Sequence, residues 1–110
     1  MTPARLETSP RVVGVVGAGT MGIGITYVFA VAGSQVTVVE PSANQVVVMW
    51  TAVDRALAGA VTRGKLTADE AASARARISP VDDVDQLPIA ADLVIESVPE
   101  KLELKQQVLQ

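Results

Sequence analysis

The sequence predicts an α/β fold with a parallel sheet, on three observations. Val12, Val13, Val15 and Val16 form a nearly continuous β-branched run, which is how a strand reads when helices cover both faces of a parallel sheet. The turn GAGTMG follows at 17–22 and opens a helix-like stretch. A second run, Val36, Val38 and Val39, then closes on Glu40, 23 residues after Gly17. Strand, glycine turn, helix, strand and acid in that order are the fingerprint of a βαβ unit that binds a dinucleotide.

Each part has a physical job. Gly17 lets the chain leave the strand tightly, Gly19 lets the backbone approach a pyrophosphate, and Gly22 lets the helix lie close on the sheet. The helix N-terminus offers unpaired N–H groups and a positive dipole end to the phosphates. Glu40 stands near the expected offset of about 20 residues for the acid that accepts hydroxyl donors from the adenosine ribose. Eight glycines make a lone GxGxxG a weak sign. The flanking strand, the helix and the acid are separate conditions, and together they carry the reading. Within the helix, Met21, Ile25, Val28, Phe29 and Ala32 recur at helical spacing and predict the buried face, and Gly33 falls where the helix should stop.

Further along, Pro41 and Ser42 open a second helix whose stripe is Val46, Trp50, Val53, Leu57 and Ala60, ended by Gly64. Thr67 with Glu70 makes a capping box for a third helix from 68 to about 77, with Arg75 and Arg77 suited to its negative dipole end. Residues 78–81 form a short third strand, and DLVIESV at 92–98 a fourth. After Pro99, Leu102, Leu104, Val108 and Leu109 predict the start of another helix with no stop signal. The expected organisation is an arm over residues 1–10 and an incomplete dinucleotide-binding domain over 11–110. The fold class is a Rossmann-type doubly wound parallel sheet, first half only, with strand order 3-2-1-4.

Composition bounds the chemistry. The 110 residues are 49% hydrophobic with one Trp, one Tyr and one Phe, which suits a valine sheet under alanine-rich helices. A net charge of −3 without a Lys/Arg cluster argues against a nucleic-acid partner. With no Cys and no His there is no thiolate or imidazole for a metal and no histidine base. No metal site is expected, and any catalysis must use other groups or lie outside these residues. No apolar stretch is long enough to span a membrane and the start lacks a signal-peptide core, so the expected compartment is the cytoplasm.

VGVVGAGTMGIGIT at 13–26, VTVVEP at 36–41 and ADLVIESVPEKLELKQQVL at 91–109 resemble the cofactor-binding domain of the 3-hydroxyacyl-CoA dehydrogenases, and the last block is the discriminating one. The resemblance implies NAD as cofactor and oxidation of the 3-hydroxyl of an acyl-CoA by the complete protein, expected to be a homodimer. By position it assigns Gly17, Ala18, Gly19, Thr20, Met21 and Gly22 to the pyrophosphate and Glu40 to the adenosine ribose. It assigns Glu100 and Lys105 to the nicotinamide half. On their own, those two residues read equally as a solvated first helical turn. Arg63 corresponds to the family's basic residue for CoA, while Ala56 stands where the family has Ser, which leaves an acyl-carrier thioester as an alternative. Ala52, Ala56, Gly59 and Arg63 share one helix face, where helix packing also accounts for the small residues. The family's catalytic His and its Glu, Ser and Asn helpers follow a fifth strand and precede a helical substrate and dimer domain, none of which lies in this sequence. These residues alone are therefore expected to be inactive. Alternatives are another NAD-dependent 3-hydroxyacid dehydrogenase and a non-catalytic nucleotide-binding module.

Overall fold

The computed structural model describes residues 10–98 and 101–105. Strands β1 (Val12–Val16), β2 (Gln35–Val39), β3 (Ile78–Val81), β4 (Leu93–Val98) and β5 (Lys101–Lys105) form one sheet in the order β3-β2-β1-β4-β5. The first four are parallel, in the expected 3-2-1-4 arrangement. Helices α1 (Thr20–Ala32), α2 (Ala43–Thr62) and α3 (Ala68–Ala76) make the connections. Val13, Val15, Val36, Val38 and Ile78 turn one sheet face to the helices and join Ala30, Met49, Val53, Leu57 and Ala74 in the core. On the other face, the connection from β3 to β4 crosses β1. Its Leu87 fills the space above Gly14, where a Cβ would stand 2.7 Å from Leu87 Cδ2. Pro80 is tolerated in β3 because that strand lies at the sheet edge.

The ends of the elements follow the local chemistry. Gly33 takes φ 109°, its N–H donates to Ala30 O, and the Ser34 N–H donates back to Phe29 O, closing α1 in a left-handed turn. Ser42 Oγ caps α2 and the Thr67–Glu70 box caps α3, as expected. The basic residues at the end of α3 serve other helices instead. Arg77 donates to the Ala30 carbonyl at the end of α1, 2.7 Å away. Arg75 lies 4.1 Å over the Trp50 ring and bonds Asp54, 2.7 Å away, which raises its pKa above the usual guanidinium value.

Two expectations are corrected. The buried face of α1 is Gly22, Thr26 and Ala30, whereas Met21 and Val28 are 52% and 60% exposed. The helix is apolar all round, so periodicity could not select a face. Gly22 does select it: a Cβ there would overlap the Gly17 carbonyl, so this residue must face inward, and positions four and eight later follow it. The second correction concerns residues 101–105, which are not helical. They form β5, antiparallel to β4, with Lys101 opposite Val98 and Lys105 opposite Val94. KLELK alternates charged and apolar residues with the period of a strand, and the free edge of β4 supplies the backbone partners. The edge of β4 away from β1 is thus paired. The arm over residues 1–9, and the predicted helical positions Val108 and Leu109, lie outside the described residues.

Candidate cofactor site

The carboxyl ends of β1, β2 and β4 meet where a parallel sheet places its ligands, between strands whose connections leave in opposite directions. β1 ends in Gly17, which takes φ 102° and donates its N–H to Val39 O, 2.8 Å away. A side chain here would overlap the Ser97 carbonyl, so the turn is moulded on β4 as well as on β2. Gly19 is different. It is the N-cap of α1, with extended backbone (φ −78°, ψ −174°), and a Cβ built on it meets nothing within 4 Å. Helix α1 opens with no side-chain capping bond and no acid in its first turn. Its leading N–H groups and dipole are therefore available to an anion approaching over Gly19.

Glu40 closes the site. Its Oε1 accepts from the Ala18 N–H at 2.9 Å and its Oε2 from the Ser42 N–H at 3.0 Å. An ionised carboxylate has about four acceptor positions. With two taken by backbone, enough remain for a pair of ribose hydroxyls. Beside it, Glu40, Pro41, Ala43, Val46, Val81 and Asp82 help line an open cleft of about 450 Å³ at the carboxyl ends of β2 and β3, next to the start of α2.

A residue not foreseen from the sequence joins this arrangement: Gln45 Nε2 donates to the Ala18 carbonyl at 2.6 Å. The signal was present in Ser42, which as N-cap puts Gln45 in the first turn of α2, where side chains lean back toward the helix start.

Ala18, Gly19, Thr20, Met21 and Gly22 thus lie together with Glu40 at one end of the sheet. The remaining predicted residues are placed elsewhere. Glu100 lies outside the described residues. Lys105 pairs with Val94, which by strand rise is about 13 Å back from the site end of β4. Arg63 ends α2, about 30 Å along the helix from Ser42 by helical rise, with its guanidinium folded over Gly59.

Residues 12–110 match the family described as "3-hydroxyacyl-CoA dehydrogenase, NAD binding domain". The chain belongs to this family. What these residues form is its NAD-binding domain. The chain is 43% identical over 95 residues to a 3-hydroxyadipyl-CoA dehydrogenase of Escherichia coli, covering 86% of this chain and 20% of that protein. It is 38% identical over 96 residues to a 3-hydroxybutyryl-CoA dehydrogenase of Mycobacterium tuberculosis, covering 87% and 33%. The solved structure of an (S)-3-hydroxybutyryl-CoA dehydrogenase from Ralstonia eutropha superimposes with TM-score 0.77 at 42% identity, over 84% of this chain and 32% of that one. The chain therefore spans between a fifth and a third of the length of these relatives.

Proposed function

We propose that this domain holds NAD for a protein that oxidises the 3-hydroxyl of an acyl-CoA thioester. The observation that carries the reading is the convergence on Ala18. The uncapped N-terminus of α1, the open approach over Gly19 and the Glu40 carboxylate lie at one end of the sheet, spaced by a turn with no room for a side chain at Gly17 or Gly22. These are the features a pyrophosphate and an adenosine ribose require.

In this reading the N–H groups from Gly19 to Gly22 bind the pyrophosphate and the remaining Glu40 lone pairs accept the ribose hydroxyls. The cleft at the carboxyl ends of β2 and β3 receives the adenine, with Val46 and Val81 on its apolar walls. Bound there, NAD supplies the acceptor for the hydride leaving the substrate's third carbon. The 110 residues contain no His, the side chain used most often as a general base, and the resemblance to the family assigns the base that removes the hydroxyl proton to residues outside them. Arg63 offers a cation to the phosphates of CoA at the far end of α2. Lys105 keeps its proposed place near the nicotinamide only in a form of the chain where 101–105 leave β4, and Glu100, outside the described residues, keeps it by the family resemblance.

The experiment is an NADH-absorbance assay of the full-length protein with 3-hydroxybutyryl-CoA and 3-hydroxyadipyl-CoA. Turnover with either supports the reading. A protein that binds NAD but turns over neither thioester removes the substrate assignment and leaves the cofactor assignment standing.

A further inference from the structure

Ala18 sits between two glycines that impose little conformation of their own, yet it is fully buried and both of its backbone groups are held by side chains from the β2–α2 unit. Glu40 Oε1 holds the N–H, which belongs to the Gly17–Ala18 peptide, and Gln45 Nε2 holds the carbonyl, which belongs to the Ala18–Gly19 peptide. The holders are themselves tied together. Glu40 Oε2 accepts from the Ser42 N–H at 3.0 Å, and Ser42 Oγ accepts from the Gln45 N–H at 3.2 Å.

We propose that Gln45 is a positioning residue of the cofactor site, which locks the Ala18–Gly19 peptide in one orientation by holding the Ala18 carbonyl. The inference rests on the NAD reading of the site. In a trans peptide the carbonyl and the N–H point in opposite directions. By drawing the Ala18 carbonyl toward α2, Gln45 fixes the direction of the Gly19 N–H, the donor that precedes the first turn of α1. Without that bond the peptide is free to flip, because Gly19 tolerates the changed dihedral angle and no side chain at position 19 resists it. Glu40 cannot substitute, since its grip is on the preceding peptide.

At the start of α2, Ser42 Oγ is engaged by the Gln45 N–H, which leaves Gln45 as the side chain that reaches this carbonyl. Ala43 has no polar side chain, and Asn44 precedes Gln45 by about 100° around the helix, off the face that meets the turn. The role is distinct from that of Glu40, which sets the choice of ribose. Gln45 sets how well the phosphate donors are aimed, and so governs affinity for NAD and NADP alike.

The test uses the full-length protein carrying Gln45→Met, which keeps the length of the side chain and removes the donor, and Gln45→Glu. The readouts are NAD affinity by calorimetry and amide exchange at Ala18 and Gly19. The Met variant should bind NAD about ten-fold more weakly, from loss of one hydrogen bond to a buried carbonyl, and should exchange faster at Gly19 while the α1 interior stays protected. The Glu variant should be at least as weak at pH 7.5, because an ionised carboxylate has no proton to donate and would face the Ala18 carbonyl oxygen. A Met variant with affinity and Gly19 exchange within two-fold of the parent overturns the proposal, and so does a Glu variant that binds NAD as tightly as the parent at pH 7.5. If the parent protein binds no NAD, the cofactor reading fails instead. The exchange rates at Gly19 then decide the peptide lock by themselves.

Discussion

Gly19→Ala adds one methyl group at the point where the proposed site and the fold make separate demands. The backbone at 19 is extended and open to any residue, and the added Cβ meets nothing within 4 Å. Folding should scarcely register it. Reduced freedom of the unfolded chain stabilises by about 0.4–1 kcal/mol, and replacing a glycine N-cap by alanine costs a comparable amount, so the melting temperature should move by less than about 4 °C. Binding is another matter. The methyl occupies the approach over which the pyrophosphate must come within hydrogen-bonding distance of the helix N–H groups. Losing one such charge-assisted bond, at about 1.5–3 kcal/mol, weakens NAD roughly ten- to 150-fold. Gly17→Ala and Gly22→Ala are the controls. Their side chains would overlap the Ser97 and Gly17 carbonyls, and Gly17 also has φ 102°, so both should lose about 3 kcal/mol or more of stability. Calorimetric titration with NAD, beside thermal melts of all three variants, separates the effects. A Gly19→Ala protein that binds NAD within two-fold of the parent would refute the placement of the phosphate. One that melts as early as Gly17→Ala would refute the claim that position 19 is open.

Thr26 is fully buried and its Oγ1 has no hydrogen-bond partner among the described residues, so Thr26→Val should raise stability by about 1 kcal/mol. A destabilised valine variant in chemical denaturation would mean that the hydroxyl is bonded after all. The 110-residue chain, purified alone, should show no NAD-dependent oxidation of a 3-hydroxyacyl-CoA, because it contains no histidine base; turnover by it would place the chemistry on residues given no such role here.

Much of the fold was legible because its signals are local. Valine runs, the Thr67–Glu70 box and Gly33 each act within a few residues, and strand order 3-2-1-4 follows from the dinucleotide motif they frame. What the sequence hid depends on distant partners. The inward face of α1 is set by the contact of Gly22 with the Gly17 carbonyl, which an all-round apolar helix does not advertise. Arg77 reads as a helix-end charge for α3, yet its partner is on α1. Residues 101–105 were read as a helix start after Pro99, but their two-residue alternation and the open edge of β4 prevail. In the site, the glycine turn and Glu40 were visible by type and spacing. The hold of Gln45 on Ala18 was not, because it joins residues 27 apart across two elements.

The central claim is that Glu40 faces the adenosine ribose of a bound dinucleotide, and the most direct measurement is a paired titration of the full-length protein with NAD and NADP. The carboxylate is pinned by the Ala18 and Ser42 N–H groups and cannot swing aside, so the 2′-phosphate of NADP would meet a fixed like charge. The account predicts NADP binding weaker by about 2 kcal/mol or more, at least thirty-fold, with the gap largely abolished in Glu40→Ala. Equal affinities in the parent protein, or an unchanged gap in Glu40→Ala, would contradict it.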